Sequence, residues 1–139
     1  MKNLKKDNKG FSLVELIVVV LIMAIIAVAL APQILKWVNN SRISADNDTM
    51  QQLVSNCQTT LTNEAAFEDK VSSISVGNSG ITTTIEDNDF WNKLAEYTGV
   101  ARGSLSTAYK TKVSGETITI TIGAKGAVTG SYSGDTVDN

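Results

Sequence analysis

Glu15 is the one ionisable side chain in a membrane-length stretch: Phe11, Ser12, Leu13 and Val14 precede it, and sixteen apolar residues, Leu16 to Ala31, follow without interruption. A carboxylate at the centre of a bilayer costs on the order of 2.5–3.5 kcal/mol, so such a residue marks function and needs a cationic partner. A cut between Gly10 and Phe11 would supply one. The new amino group of Phe11 lies four residues from Glu15, and the amine of a neighbouring copy reaches that carboxylate once two helices stagger side by side. At ~4 Å and an effective dielectric near 20, the pair contributes about 4 kcal/mol, comparable with the burial cost, so it selects register more than it adds stability. The plainer reading is a glutamate that complements the dipole of its own helix start.

Few other residues could carry chemistry. The chain has no histidine and one cysteine. Cys57 continues the spacing Met50, Leu53, Val54, Cys57, Leu61 along one helical face with no basic neighbour, so it reads as a small buried hydrophobe. The carboxylates lack a paired partner or a nucleophile, so no enzyme and no cofactor are expected. Glu86, Asp87 and Asp89, or Asp135 and Asp138, could meet calcium. Neither group has the spacing of a calcium loop, and a helix cap and a solvated tail are the favoured readings, with no metal site assigned.

The 139 residues carry 12 basic and 14 acidic side chains. Lys2, Lys5, Lys6 and Lys9 fall within the first ten residues beside Asp7; without that stretch, 8 basic and 13 acidic side chains remain, a net charge of −5. The basic tag should stay cytoplasmic under the positive-inside rule, with the soluble part across the membrane. The remaining cations are dispersed among carboxylates, so nucleic acid is not the default partner.

These residues need a helix to position them. Phe11 to Ala31 is 21 residues, about 31 Å at 1.5 Å per residue, which matches the ~30 Å hydrocarbon thickness. A secretory signal peptide shares the basic start, apolar core and small residues, but Glu15 interrupts the core and Pro32 directly follows Ala31. Pro32 removes the hydrogen bond to the Val28 carbonyl and should bend or loosen the helix there. Beyond it, Ile34, Leu35, Val38, Ile43, Met50, Leu53, Val54, Cys57 and Leu61 recur at three- and four-residue steps, which predicts an amphipathic helix to about Ala66. Trp37 fits an interfacial anchor, the favoured reading, or a fibre contact.

From Val71 the period changes to alternation. Val71, Ile74 and Val76, the turn Gly77-Asn78-Ser79-Gly80, and Ile81 to Ile85 predict a hairpin. Asp87 or Asp89 can cap a short helix through Phe90, Trp91, Leu94 and Tyr97, with Gly99 as its C-terminal stop. Ser106–Val113, Glu116–Ile122 and Ala127–Tyr132 then predict a three-stranded meander, Ile118, Ile120 and Ile122 facing the helix. The expected fold is α+β: a long N-terminal helix, transmembrane then amphipathic, packed on a small antiparallel β-sheet.

The block Lys9-Gly10-Phe11-Ser12-Leu13-Val14-Glu15 with its apolar run resembles the N-terminal signature of type IV pilins and the related type II secretion pseudopilins. The resemblance implies a leader of residues 1–10 removed by a prepilin peptidase, cleavage between Gly10 and Phe11, N-methylation of Phe11, a transmembrane and polymerisation helix over 11–31, and a soluble pilin domain over 32–139. It gives Glu15 and Pro32 roles in assembly. A glycine eight residues before the proline is common in that family; here the position is Ala24, which favours helix by roughly 1 kcal/mol and disfavours unwinding.

Three functions stay open. The first is a pilus subunit: a homopolymer built on an assembly platform in the cytoplasmic membrane and displayed at the cell surface for adhesion, motility or aggregation. The second is a pseudopilin of a type II secretion or competence DNA-uptake system. The third is a monomeric signal-anchored surface domain, which predicts no cut after Gly10 and no need for Glu15.

Overall fold

A computed structural model describes residues 10–134. Lys2, Lys5, Lys6 and Lys9, and the carboxylates Asp135 and Asp138, lie outside the described residues. The chain divides into two compact units, Met1–Trp37 and Val38–Asn139, and helix α1 (Leu13–Thr60) contributes to both.

In the first unit every residue from 10 to 37 is exposed. The many Val and Ile residues of this stretch lower its intrinsic helix propensity, but a lone segment in hydrocarbon can satisfy its peptide groups only as a helix. The segment is long and apolar enough to cross a membrane. The helix continues through Pro32.

In the second unit, α1 turns a stripe of Ile43, Asp46, Leu53, Cys57 and Thr60 into the interior. It stops at Thr60, short of the expected Ala66. The last turn tightens locally: the amides of Thr62 and Asn63 bond three residues back, to the carbonyls of Thr59 and Thr60, and the Thr62 hydroxyl also donates to the Thr59 carbonyl, which closes the helix end. Asn63 then starts a separate helix, α2 (Glu64–Glu68), its side chain accepting the Ala66 N–H at 3.1 Å, the ordinary N-cap bond.

The sheet has the order β2-β1-β3-β4 and is antiparallel throughout, with β1 Ser73–Gly77, β2 Gly80–Ile81, β3 Ile118–Ile122 and β4 Val128–Tyr132. The hairpin around Asn78-Ser79 forms as expected, although β2 is only two residues long. Gly80 has φ +125°, and a Cβ there would overlap the Ser106 carbonyl oxygen, so the chain passes where only glycine fits. Ile74 and Val76 join Ile118, Ile120 and Ile122 in the core with Leu53 and Cys57 of α1. On β4, a Cβ added to Gly130 would come within 2.7 Å of Met50 Cγ, which brings the strand close against α1.

Helix α3 (Asp89–Thr98) is capped by the side chain of Asn88, between the two expected candidates, and ends at Gly99 in the left-handed region, φ 68°, as the spacing predicts. Phe90 and Trp91 meet edge to face at 5.3 Å and both are fully buried; each such side chain contributes about 1.5–3 kcal/mol.

The expected strand over Ser106–Val113 does not form. Arg102–Ser104 makes a 3-10 turn, Leu105–Ala108 is a short helix, α4, and β1 takes the place beside β3. The peptide groups of residues 111–113 are claimed elsewhere: Asp46 accepts the amides of Lys112 and Val113, and Asn78 Nδ2 donates to the carbonyls of Thr111 and Val113. A ladder partner for them is therefore not needed. The architecture is α+β, a long N-terminal helix packed on a small antiparallel sheet, consistent with the pilin fold.

Candidate functional site

The head of α1 is built from Gly10, Phe11, Ser12 and Glu15. Ser12 is the last residue before the helix, and its carbonyl already accepts from the Leu16 N–H at 3.2 Å. Glu15, in the first turn, reaches back so that its Oε2 accepts the Ser12 N–H at 2.9 Å. This is one half of a capping box, Ser-x-x-Glu, which satisfies an orphan amide at the helix start and sets a carboxylate against the positive end of the dipole. The spacing was open to reading in the sequence, and Ser12 is the residue that the motif reading passed over.

Gly10 and Phe11 precede the helix and are not helical, and Phe11 is 92% exposed. Phe11 and Glu15 line one shallow apolar surface with Val14, Leu16, Val18 and Val19. Among the described residues, the polar contact of this carboxylate is the Ser12 backbone amide. Pro32 is 17 residues further along the helix, about 26 Å from Glu15 by the helical rise, so it belongs to the same element but not to this group.

A second polar centre, in the globular unit, was not foreseen. Asp46 is fully buried. Its carboxylate accepts the Lys112 amide at 2.6 Å, the Val113 amide at 3.1 Å and the Tyr132 hydroxyl at 3.1 Å. Burial, followed by the hydrogen bond and charge of Asp46, pushes the Tyr132 phenol up to about 12. Asp46 falls in the apolar stripe three residues after Ile43 and seven before Leu53, and a carboxylate at a core position of an amphipathic helix was the available signal. Cys57 is fully buried, and burial pushes its thiol up to about 12, which agrees with its reading as a small hydrophobe rather than a nucleophile.

The acidic residues of the sequence resolve differently. Asp87 accepts from Arg102 at 3.1 Å, and Asp69 accepts the Asp89 amide at 3.0 Å. Among the described residues no group of three or more His, Cys, Asp or Glu side chains is arranged to hold a metal ion.

The described residues thus place a helix long and apolar enough to cross a membrane, with a capped glutamate at its head, ahead of a small α+β unit. Residues 5–31 match the family model described as the prokaryotic N-terminal methylation motif, a class III signal segment characteristic of type IV pilins and pseudopilins. No curated protein and no solved structure matches the chain.

Proposed function

We propose that this protein is a structural subunit of a type IV pilus, made as a membrane-anchored precursor and polymerised through its apolar helix into a surface fibre. The observation that carries the reading is the wholly exposed stretch of α1 from Leu13 to Trp37 with Glu15 at its head, most of it in a segment that matches the N-terminal methylation motif.

In this reading residues 1–10 are the leader, 11–31 the membrane and polymerisation segment, and 32–139 the exported domain. A prepilin peptidase cuts between Gly10 and Phe11, and Phe11 is then N-methylated. Cleavage creates an ammonium at Phe11, and Glu15 exchanges its bond to the Ser12 amide for the ammonium of a neighbouring copy, which fixes the stagger of the helices. A helix leaving the bilayer must bury its apolar surface, and equivalent helices of other copies supply the cover. Pro32, which has no N–H for the Val28 carbonyl, marks the turn that bends or opens on packing.

The test is intact-mass and N-terminal analysis of the chain recovered from its membrane and from a sheared surface fraction. The expected result is a chain that begins at methylated Phe11 in both. An intact leader in actively processing cells, or a start at Pro32, would overturn the reading; a Phe11 start confined to the membrane would point to a pseudopilin.

A further inference from the structure

The loop that Asp46 holds carries charges that neither processing nor core packing uses. It is tied to α1 at two points: Asp46 accepts the backbone amides of Lys112 and Val113, and Asn56 Nδ2 donates to the side-chain hydroxyl of Tyr109 at 3.4 Å. Between these points lies a cleft of about 320 Å³ lined chiefly by Thr49, Gln52, Thr107, Tyr109, Lys110 and Lys112. Thr111 is buried at 4% exposure while Lys110 and Lys112 on either side of it are exposed, so the two lysines stand on the side of the loop that faces the cleft and solvent. Neither ammonium has a carboxylate within ion-pair distance among the described residues. Two like charges on a fixed backbone favour an anionic occupant.

The same unit carries a complement. Glu86, Asp87 and Asp89 lead into α3, and Asp69 joins them by accepting the Asp89 amide. Among the described residues the cations there are Arg102, paired with Asp87, and Lys93, which pairs with Glu96 and lies within reach of the Asp89 charge, so carboxylates stay in excess. Asn88 already caps α3, so the acids are not needed as its N-cap. Glu86 is exposed and has no partner among the described residues. A surface with unpaired lysines and another with an excess of carboxylates on a single chain are complementary in charge and make a heterologous, head-to-tail contact, the kind that builds a filament when its rotation does not close.

We propose that the Lys110–Lys112 cleft of one copy receives the Glu86–Asp89 turn of a second copy of this chain, a charged contact between globular units in addition to the packing of their helices. The contact rests on the polymer reading given above and sets which copies face one another.

The test uses the full chain in cells that process and assemble it. Reversing the cleft (Lys110→Glu with Lys112→Glu) or the turn (Glu86→Lys with Asp89→Lys) is expected to lower sheared fibre about tenfold or more, since like charges across an interface cost several kcal/mol. Processed chain starting at Phe11 should then accumulate in the membrane, and combining both reversals should restore fibre. To keep the result independent of folding, Lys110→Cys and Glu86→Cys are placed together in one chain: oxidised fibres should give a ladder of cross-linked copies, and either substitution alone should not.

Fibres of the double-cysteine chain without a ladder, or reversals that assemble normally, overturn the contact and leave the polymer reading standing. Reversals that assemble normally but lose binding of a heparin probe would assign the cleft to an external polyanion and likewise overturn it. An unsubstituted chain that yields no fibre sinks the polymer reading and this contact with it.

Discussion

The carboxylate of Asp46 on α1 accepts the hydroxyl of Tyr132 on the last strand at 3.1 Å, across 86 residues of sequence. Because the same carboxylate holds two backbone amides of the loop before β3, one buried side chain ties the helix to both the loop and the far edge of the sheet. Replacing Asp46 with Ala would leave three donors without their acceptor. The expected loss is about 3 kcal/mol or more, since each stranded buried group costs on the order of 1–3 kcal/mol. Urea unfolding of the full chain in detergent, followed by tryptophan emission, measures it.

Alkaline pH should destabilise the globular unit through the same contact. The Tyr132 phenol rises from 10.0 to about 12 on folding, chiefly through burial, and the Cys57 thiol from 9.0 to about 12. Both pKa values are raised, so the fold favours the protonated forms. Their contribution is fully present below the unfolded values and is lost as pH climbs from about 9 towards 12. Unfolding midpoints should fall across that window. Tyr132→Phe should flatten part of the fall, at a cost of about 1 kcal/mol at neutral pH for the missing hydrogen bond.

Cys57 should be silent to alkylation in the folded chain. It is fully buried with its thiol pushed up to about 12, and the thiolate is the reactive form. Maleimide labelling is expected only after denaturation, and mass spectrometry of native against unfolded samples reads this directly; rapid labelling of the native chain would refute the packing described for α1.

At Gly80, substitution by Ala is expected to cost about 2 kcal/mol or more. The residue combines φ +125° with a backbone oxygen where the Cβ would stand, so both strain and overlap count against it. Gly99, whose φ is 68° and whose Cβ would meet nothing within 4 Å, should tolerate Ala with only the left-handed penalty, about 1 kcal/mol. Thermal melts of the two variants test the contrast.

Glu15→Gln separates the two duties of that side chain. Its amide oxygen can still accept from Ser12, so the helix start should survive, whereas the charge needed to pair with an ammonium is gone. Circular dichroism of the detergent-solubilised variant should match the parent. The sheared fibre should disappear if the proposed pairing operates, and wild-type amounts of fibre would rule that pairing out.

Much of this was legible along the chain because its physics is local. The apolar run from Leu16 to Ala31, the glutamate at its head, the glycine stop at Gly99 and the alternation of Ile118, Ile120 and Ile122 each follow from residues close in sequence, where periodicity and turn chemistry act. The expected end of α1 at Ala66 failed because the chain tightens at Thr62 and Asn63, and the Asn63 side chain caps a new helix. The expected strand over Ser106–Val113 failed for a reason no window could hold. Alternation in that stretch is genuine, with Thr111 buried between exposed Lys110 and Lys112, but its peptide groups are bound by Asp46, 66 residues away, and by Asn78, 33 residues away.

The sequence by itself determined the apolar helix, its charged head and the α+β class, since helical and strand periodicities are properties of neighbouring residues. Only the tertiary structure decided which strand lies beside β3, why Asp46 is buried, and that Lys110 and Lys112 flank a polar cleft. Those outcomes depend on which distant groups satisfy a buried carboxylate and a set of loop amides, and that choice is made only when the chain closes on itself.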